Sequence, residues 1–332
     1  MSIKIITVAE DDDGQRFDRW VKKYAPEIPY GLAQKLIRKG GFRVDGKRVK
    51  ADSRLKAGQE VRIPPHEDKP ADQKPRVSKF DSDFIRSLVI YDDGDVMALN
   101  KPYGLPSQGG SKVKRHIDGM LDALADKNGV RPRLVHRLDK DTSGVLLLAR
   151  SAKVAKALGA QFKSRDIKKI YWAIVSPAPQ DYAGTIKAPL AKAGGSNKER
   201  MVVDKKEGKM AITEFEVVEH ALDKAAFVAF WPRTGRTHQI RVHAELIDCP
   251  IVGDTKYKGI PPAPGEHKPE PQDLSDLDIA QRLHLHARQI ICQHPTRKGT
   301  LNISAPLPDD LKKSWKALGF DPNNKSEAFE NI

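Results

Sequence analysis

The chain has 332 residues and carries 58 Lys and Arg against 44 Asp and Glu, a net charge of +14. This excess favours a phosphate-rich partner, and a hydrophobic content of 39% is enough for a packed core. No apolar run is long enough for a membrane span, the N-terminus lacks the layout of a signal peptide, and two cysteines exclude a disulfide framework. We therefore expect a soluble, cytoplasmic protein, with a monomer as the default.

A small basic module begins the chain. Residues 14–64 contain 14 Lys or Arg and 5 Asp or Glu, which is most of the excess positive charge. The apolar positions of residues 17–24 follow the spacing of one helix face, and a second helix fits Leu32 to Lys39. Asp45-Gly46 is typical of a tight hairpin turn, and residues 61–63 predict a further strand. The pattern indicates an ααβ module with many basic side chains on its surface.

The rest of the chain predicts a larger domain dominated by strands. Residues 66–82 are rich in Pro, Lys and Asp and indicate a linker. Two helices are expected beyond it, at 116–127 and 152–163, and the proline-rich stretch 261–278 is expected to be an exposed loop. Six apolar segments are predicted to be strands, within residues 88–101, 133–138, 143–150, 170–176, 211–220 and 225–232. The fold class is therefore α+β.

A polar turn with two carboxylates is the most distinctive local feature. Asp139 and Asp141 lie between two apolar strands, within the segment His136–Gly144. A carboxylate in such a position borders a low-dielectric interior and needs hydrogen bonds or a cation. The pattern alone favours a solvated turn and a functional site about equally.

Two further segments supply candidate partners. Arg236 and Arg241, in residues 234–243, suit bidentate pairing with a carboxylate or with phosphates. Tyr171 follows the start of an apolar strand, where a core aromatic is the simpler interpretation. His238 and His243 have poor spacing for a helical metal pair. His284 and His286 would lie on one side of a strand, but with no third ligand evident we predict no metal site.

These segments together resemble the signatures of the RluA-type pseudouridine synthases. His136-Arg137-Leu138-Asp139-x-x-Thr142-Ser143-Gly144 resembles the main motif of that family. Residues 169–173 and 235–243 resemble its Lys-x-Tyr-x-Ala and Gly-Arg-Thr-His-Gln-Ile-Arg-Val-His motifs, in the same order. Asn100-Lys101-Pro102-x-Gly104 and Gly253-Asp254-x-x-Tyr257 are further matches, and the first module resembles an S4 RNA-binding domain.

The resemblance implies a domain plan. An S4-like RNA-binding domain would occupy residues 14–65 and a linker residues 66–82. A pseudouridine synthase catalytic domain, with a mixed and mostly antiparallel sheet, would occupy residues 83–316. Residues 317–332 would form a C-terminal tail.

The resemblance also implies a reaction, the isomerisation of uridine to pseudouridine without a cofactor. Asp139 is then the catalytic nucleophile, and Asp141 is a turn or capping residue. Arg241 is the counter-cation that keeps Asp139 charged and oriented. Tyr171 stacks on the uracil and takes the proton that leaves, although a phenol with an ordinary pKa near 10 is a reluctant base.

The expected contacts with RNA are more numerous. Because the target base must be flipped out of its stack, Arg137 is expected to fill the vacancy or hold a phosphate, and Ile240 to pack beneath the site. His136, Arg236 and Lys101 are the other expected contacts around the catalytic residues. Those of the S4-like module are Arg16, Arg19, Lys35, Arg38, Lys39, Arg43, Lys47 and Arg48.

Several alternatives remain open at the level of the sequence. Gly109-Gly110-Ser111 and the S4-like module favour 23S (large-subunit) rRNA, or the assembling subunit, as the partner. Gln108, where His is expected, and the proline-rich loop weaken that choice of substrate. A tRNA pseudouridine synthase is one alternative, and a non-catalytic RNA-binding or ribosome-assembly protein is another. A hydrolase that uses Asp139 or Asp141 with His136 lacks evident oxyanion donors.

Overall fold

The computed structural model describes residues 3–65, 77–110, 113–194, 200–221, 224–259, 273–325 and 328–329. Contacts divide the chain into two compact units, Met1–Arg76 and Val77–Ile332. Most of the predicted linker 66–82 and of the predicted loop 261–278 lies outside the described residues. Among the described residues, no helix combines the length and the apolar character needed to cross a membrane.

The first unit is a three-stranded antiparallel sheet with two helices. Its core contains Phe17, Trp20 and Phe42, and the second helix ends where Gly40 takes a left-handed conformation with φ of 72°. The expected hairpin turn is present at Asp45-Gly46, but only Lys47 of its second arm forms a bridge. The elements are β1 (Lys4–Thr7), α1 (Phe17–Tyr24), α2 (Tyr30–Lys39), β2 (Arg43–Val44) and β3 (Glu60–Ile63), in sheet order β1-β3-β2. Strand β1 lies before residue 14, the predicted start of the module.

The second unit is built on one large mixed sheet, and the predicted α+β class is confirmed. Its helices are α3 (Lys79–Ser87), α4 (Ile117–Met120), α5 (Ala152–Ser164), α6 (Gln239–Leu246) and α7 (Asp309–Ala317). Its strands are β4 (Val89–Asp92), β5 (Val96–Lys101), β6 (Arg133–Leu134), β7 (Ser143–Ala149), β8 (Lys168–Val175), β9 (Ala183–Lys192), β10 (Met201–Val203), β11 (Lys209–Ala221), β12 (Ala225–Pro232), β13 (Leu285–Gln293) and β14 (Thr300–Ser304). The sheet order is β10-β9-β11-β12-β8-β13-β7-β5-β4, with β14 beside β13 and β6 beside β7.

The centre of this sheet brings distant motifs together. Among the described residues, β7 and β13 run parallel and the other strand pairs are antiparallel. Strand β13 also pairs with β8, which places Ala287 opposite Tyr171 and next to Gly144 in register. Gly144 has φ of +115°, and a Cβ there would lie 2.2 Å from the Ala287 carbonyl oxygen. Only glycine fits this crossing, which aligns the loop before β7 with Tyr171 on β8.

Three predicted boundaries differ from the structure. The helix expected at 116–127 is α4 followed by a short 3-10 turn, because the Asp126 carboxylate accepts from Asn128 N and Val130 N and turns the chain. Helix α3 begins inside the predicted linker. The predicted tail 317–332 is not a solvated tail where it is described, because Phe320 and Phe329 are buried in a core cluster.

Candidate active site

The loop that carries Asp139 connects β6 to β7 and is held by the segment that follows β5. Leu138 N donates to Ser107 Oγ at 3.0 Å, and Ser107 Oγ donates to the Leu138 carbonyl at 2.7 Å. Gly104 N donates to the Lys140 carbonyl at 2.9 Å. The backbone on both sides of Asp139 is therefore fixed, although the residue lies in a loop.

Lys101 is a second brace for this loop. Its side chain is fully buried, and its Nζ donates to the carbonyls of Pro102, Leu105 and Lys140 at 2.8, 2.9 and 3.2 Å. Burial lowers the pKa of Lys101 to about 7, while the carboxylates of Asp139 and Asp141 act to raise it. The expectation that Lys101 contacts RNA is therefore wrong, because its three donors are occupied inside the protein.

Replacing Lys101 should destabilise the fold in a way that depends on pH. In Lys101→Met three buried carbonyls lose their donor, so we expect the free energy of unfolding to fall by about 2–4 kcal/mol. The folded-state pKa lies below the ordinary value of 10.5, so the unfolded chain binds more protons between about pH 7 and pH 10.5. The difference in the free energy of unfolding between the wild type and Lys101→Met should therefore increase as the pH rises through this window.

Urea unfolding of the two proteins at several pH values measures this difference. Lys153→Met is the control, since Lys153 is exposed, and it should leave both stability and its pH dependence unchanged. A difference in unfolding free energy that decreases as the pH rises would contradict a lowered pKa for Lys101 in the folded protein.

The Asp139 side chain is half-buried and makes no hydrogen bond or ion pair within the described residues. Its charge nevertheless acts on the titration of four groups around it, which are Lys101, Tyr171, His238 and Arg241. Asp141 instead acts on Lys101 and Arg282. The charge of Asp139 thus reaches groups of the second and third sequence motifs, both carboxylates act on Lys101, and Asp141 also acts on Arg282.

Tyr171 lies on β8 between β12 and β13, opposite Phe230 and Ala287. Its side chain is half-buried, and its hydroxyl has no hydrogen-bond partner within the part of the chain that is described. Burial, and then the charge of Asp139, raise the pKa of Tyr171 well above its ordinary value. The residue is therefore a neutral phenol with an open hydroxyl at neutral pH.

Arg241 is brought to the site by α6, but its direct partner is not Asp139. Its Nε and Nη2 donate to the Asp254 carboxylate, both at 2.6 Å, and both side chains are buried. Burial acts to lower the pKa of Arg241, but the pair with Asp254 outweighs it and raises the value, with a further contribution from Asp139. The expectation that Arg241 is the counter-cation of Asp139 holds only as a longer-range interaction.

A hydrogen-bonded group surrounds this ion pair. Asp254 Oδ1 also accepts from Lys256 N at 2.8 Å, so a backbone hydrogen bond helps to position the carboxylate that pairs with the guanidinium. The Arg241 guanidinium lies 4.9 Å from the Tyr257 ring, and the Tyr257 hydroxyl is 2.9 Å from His238 Nδ1. Asp254, Tyr257 and His238 had no predicted roles, although the Gly253-Asp254-x-x-Tyr257 match was the signal that could have identified the first two.

The other expected contacts around Asp139 fall into two groups. His136 is half-buried: its Nε2 accepts from Leu147 N at 2.9 Å, its ring stacks on Phe162, and burial lowers its pKa to about 3. These contacts hold it against β7 and Phe162, which argues against the expected contact of His136 with RNA. Ile240 is buried in the same cluster that Tyr171 borders, as a residue beneath the site would be. Arg137 is exposed and Arg236 is half-exposed, so both guanidinium groups are accessible.

Arg282 is a buried cation that no sequence pattern singled out. Its Nη2 donates to Ser143 Oγ at 2.9 Å, its Nη1 lies 3.1 Å from Asp310 Oδ2, and its guanidinium lies 4.4 Å from the Tyr103 ring. His286 completes the arrangement, with its Nδ1 2.9 Å from Ser143 Oγ, and burial lowers its pKa to about 3. These groups fix the start of β7.

The cations of the first unit are mostly available to a partner. Arg16 pairs with Asp18 at 2.6 Å, and Arg43 donates to the Gly40 carbonyl at 3.0 Å, so both are partly engaged. Six others are exposed: Arg19, Lys35, Arg38, Lys39, Lys47 and Arg48. No cluster of three or more His, Cys, Asp or Glu that would hold a metal ion occurs in the described ranges.

Comparison with known proteins gives a consistent result. The family described as RNA pseudouridylate synthase matches residues 95–246, and the S4 domain matches residues 15–61. The ribosomal large subunit pseudouridine synthase C of Pasteurella multocida is 35% identical over 323 residues, covering 96% of this chain and 94% of the relative. The protein of the same name from Escherichia coli K12 is 34% identical, covering 96% and 97%.

A solved structure agrees with these relatives. Human RNA pseudouridylate synthase domain containing 4 superposes with a TM-score of 0.58 and is 29% identical in sequence. The match covers 72% of this chain and 97% of the human one.

Proposed function

Because the chain belongs to the RNA pseudouridylate synthase family and carries an S4 domain, we propose that it modifies uridines of 23S (large-subunit) rRNA, with Asp139 as the nucleophile. The protein is an RNA pseudouridine synthase, an isomerase. We assign RNA capture to the S4 domain within residues 14–65 and catalysis to the domain within residues 83–316. We also propose that it is a monomer and that it works in the cytoplasm, where ribosomes assemble.

One observation carries the catalytic assignment. Asp139 is a half-buried carboxylate with no protein partner among the described residues, beside the open hydroxyl of Tyr171. Asp141 is also half-buried and without a side-chain hydrogen bond or ion pair among the described residues, so the missing partner alone does not distinguish the two. What distinguishes Asp139 is that its charge acts on Tyr171 and Arg241. An unpaired carboxylate retains its lone pairs for the nucleotide.

The reaction needs the bond between N1 and C1′ to break and a bond between C5 and C1′ to form. In our proposal the Asp139 carboxylate attacks the nucleotide or stabilises the separated sugar, and the base turns within the site. The proton on C5 is then lost, and N1 gains one, so atoms and charge balance without a cofactor. Tyr171 stacks on the base, and its hydroxyl relays the C5 proton: the oxygen accepts that proton as the phenol releases its own to solvent, from which N1 is protonated.

The charge of Asp139 is coupled to that last step. It is one of two causes that raise the pKa of Tyr171, and a covalent bond to the nucleotide would remove it. When the bond is to the base, it persists until the C5 proton is lost, and the phenol then ionises more readily at that stage. When the bond is to C1′, the C5–C1′ bond displaces the carboxylate first, and its charge has returned. Arg241 and Asp254 act as a fixed buried pair that limits how the site can rearrange.

Arg137 is assigned to base flipping. It lies two residues before Asp139, at the exposed surface of the same braced loop. A target base in folded RNA is extruded at a cost of a few kcal/mol. An accessible guanidinium at this position can occupy the vacated stack or hold the neighbouring phosphate.

The relatives support rRNA as the substrate, because they are named as pseudouridine synthases of the ribosomal large subunit. Turnover of a large-subunit rRNA transcript and of a tRNA pool, measured side by side, tests this choice. We expect pseudouridine in the rRNA at a few positions only. Formation in tRNA alone would refute the choice of substrate and leave the chemistry intact, whereas formation in neither RNA would favour a non-catalytic RNA-binding protein.

The S4 domain should supply salt-dependent affinity. In a variant with Lys35, Arg38, Lys39 and Arg48 changed to Gln, we expect weaker RNA binding. We also expect a slope of log Kd against log salt that is smaller by about 0.7–0.9 for each phosphate that the variant no longer neutralises. Anisotropy titrations across salt concentrations measure this slope. A matched variant at Lys22, Lys50, Lys153 and Lys163 tests whether net charge alone is responsible, and equal slopes for both variants would contradict a capture surface.

A further inference from the structure

A cleft beside the Asp139 loop is not used by the mechanism. It has a volume of about 390 Å³ and is lined by Tyr103, Arg282, Asn100 and Asp310, with Leu88 and Pro308 at its side. This volume is within the range of clefts that hold small organic groups, about 300–1,000 Å³. We call it the Tyr103 cleft.

Its most prominent feature is an aromatic platform. The Tyr103 side chain is 40% exposed, whereas Arg282 beside it is 7% exposed and lies 4.4 Å from the ring centroid. Hydrogen bonds to Ser143 and Asp310 hold this guanidinium in place. The ring is therefore supported from within the protein by a fixed cation, and part of its surface is left to solvent.

The charges in the cleft favour a neutral occupant. Arg282 is already paired with the Asp310 carboxylate, so little positive charge remains for a phosphate. Asn100 Nδ2 donates to the Pro306 carbonyl at 3.0 Å, which leaves Asn100 Oδ1 buried and without a donor among the described residues. An uncharged ring system that stacks on Tyr103 suits this surface better than an anion does.

The cleft also shares its walls with the catalytic loop. Tyr103 immediately precedes Gly104, which donates to the Lys140 carbonyl next to Asp139. Arg282 donates to Ser143, four residues after Asp139. The platform is therefore joined to the catalytic loop through Gly104 and Arg282. Unpaired bases bind proteins mainly by stacking on aromatic rings of this kind.

We propose that the Tyr103 cleft binds one unpaired nucleobase next to the target uridine, stacked on the Tyr103 ring. This proposal rests on the proposed function, because it takes RNA as the chain that enters the site. It makes Tyr103 a determinant of which uridines are chosen, since only a target with an unstacked neighbour can fill both positions.

The test combines a substitution at Tyr103 with the removal of one base from an RNA that the wild type binds, and it compares the two changes singly and together. Single abasic riboses are placed at each position near the target uridine, and Kd is measured for wild type, Tyr103→Ala and Tyr103→Phe. We expect Tyr103→Ala to weaken binding of the intact RNA by roughly tenfold, the size usual for one stacked base. One abasic position should weaken wild-type binding to the same extent, and the two changes together should cost no more than either alone.

The controls separate stacking from other effects. Tyr103→Phe keeps the ring and should bind as the wild type does. Tyr182→Ala removes another exposed tyrosine of the same unit, 71% exposed, and should change nothing. Unchanged Kd in Tyr103→Ala, or losses that add at every abasic position, would overturn the proposal. Turnover of the intact RNA by the wild type is a separate readout, so a failure of the proposed function is distinguishable from a failure of the cleft.

Discussion

Asp139→Asn should abolish pseudouridine formation and leave the RNA complex intact. The amide has the size of the carboxylate but lacks its charge and nucleophilicity, so we expect turnover to fall by at least ~10⁴-fold. RNA affinity should change less than about threefold, because phosphate contacts supply most of it. Asp139 makes no hydrogen bond within the described residues, so thermal stability should also be unchanged. Single-turnover pseudouridine assays, anisotropy titrations and melting curves measure the three quantities.

Asp141→Asn is the matched control for this experiment. Asp141 lies two residues away in the same loop, but its charge acts on Lys101 and Arg282, and the charge of Asp139 acts on Tyr171. We expect Asp141→Asn to retain turnover within about tenfold of the wild type, as for a residue outside the reacting atoms. Loss of turnover in Asp141→Asn with activity kept in Asp139→Asn would reverse the assignment of the two carboxylates.

Tyr171→Phe should show the second largest loss. The ring remains available to stack on the base, and no protein hydrogen bond is lost among the described residues, so RNA binding and stability should be kept. The hydroxyl oxygen that receives the C5 proton is gone, and we expect the rate of the chemical step to fall by about 10²–10⁴-fold, the usual contribution of a positioned acid or base. Single-turnover rates at saturating enzyme report this step.

Tyr182→Phe provides the control for the loss of a phenol. It removes a hydroxyl from an exposed ring of the same unit, 71% exposed, and its rate should equal that of the wild type. A full rate in Tyr171→Phe would restrict Tyr171 to stacking and would require another proton acceptor. Weaker RNA binding in Tyr171→Phe, with an unchanged rate for the bound RNA, would show that the hydroxyl contributes to binding and not to proton transfer.

The sequence predicted the fold where periodicity and turn chemistry agree. Helices α1 and α5 and strands β7 and β12 were predicted within a few residues, because each has a clear apolar pattern with a capping residue or turn beside it. Strands β1, β9, β10, β13 and β14 and helices α3 and α7 were missed. Strand β1 is largely exposed, and the apolar faces of the two helices are short, so only tertiary packing identifies them.

The site was predictable at the level of its motifs but not of its pairings. Asp139, Tyr171 and Arg241 are distant in sequence, and the structure places Asp139 within electrostatic range of both Tyr171 and Arg241. Arg241 pairs with Asp254 in a turn where the backbone N–H groups of Lys256 and Tyr257 hold the carboxylate in position. Charge type alone cannot reveal such a pairing, nor can it show that Lys101 points inward to three carbonyls.

Pseudouridine mapping of large-subunit rRNA and tRNA tests the central claim most directly. The RNAs would come from cells lacking this protein and from the same cells complemented with wild type or with Asp139→Asn. We predict that specific large-subunit rRNA uridines are modified only in the wild-type complement. Restoration of the same sites by Asp139→Asn would contradict the account, because the carboxylate could then not be the catalytic group.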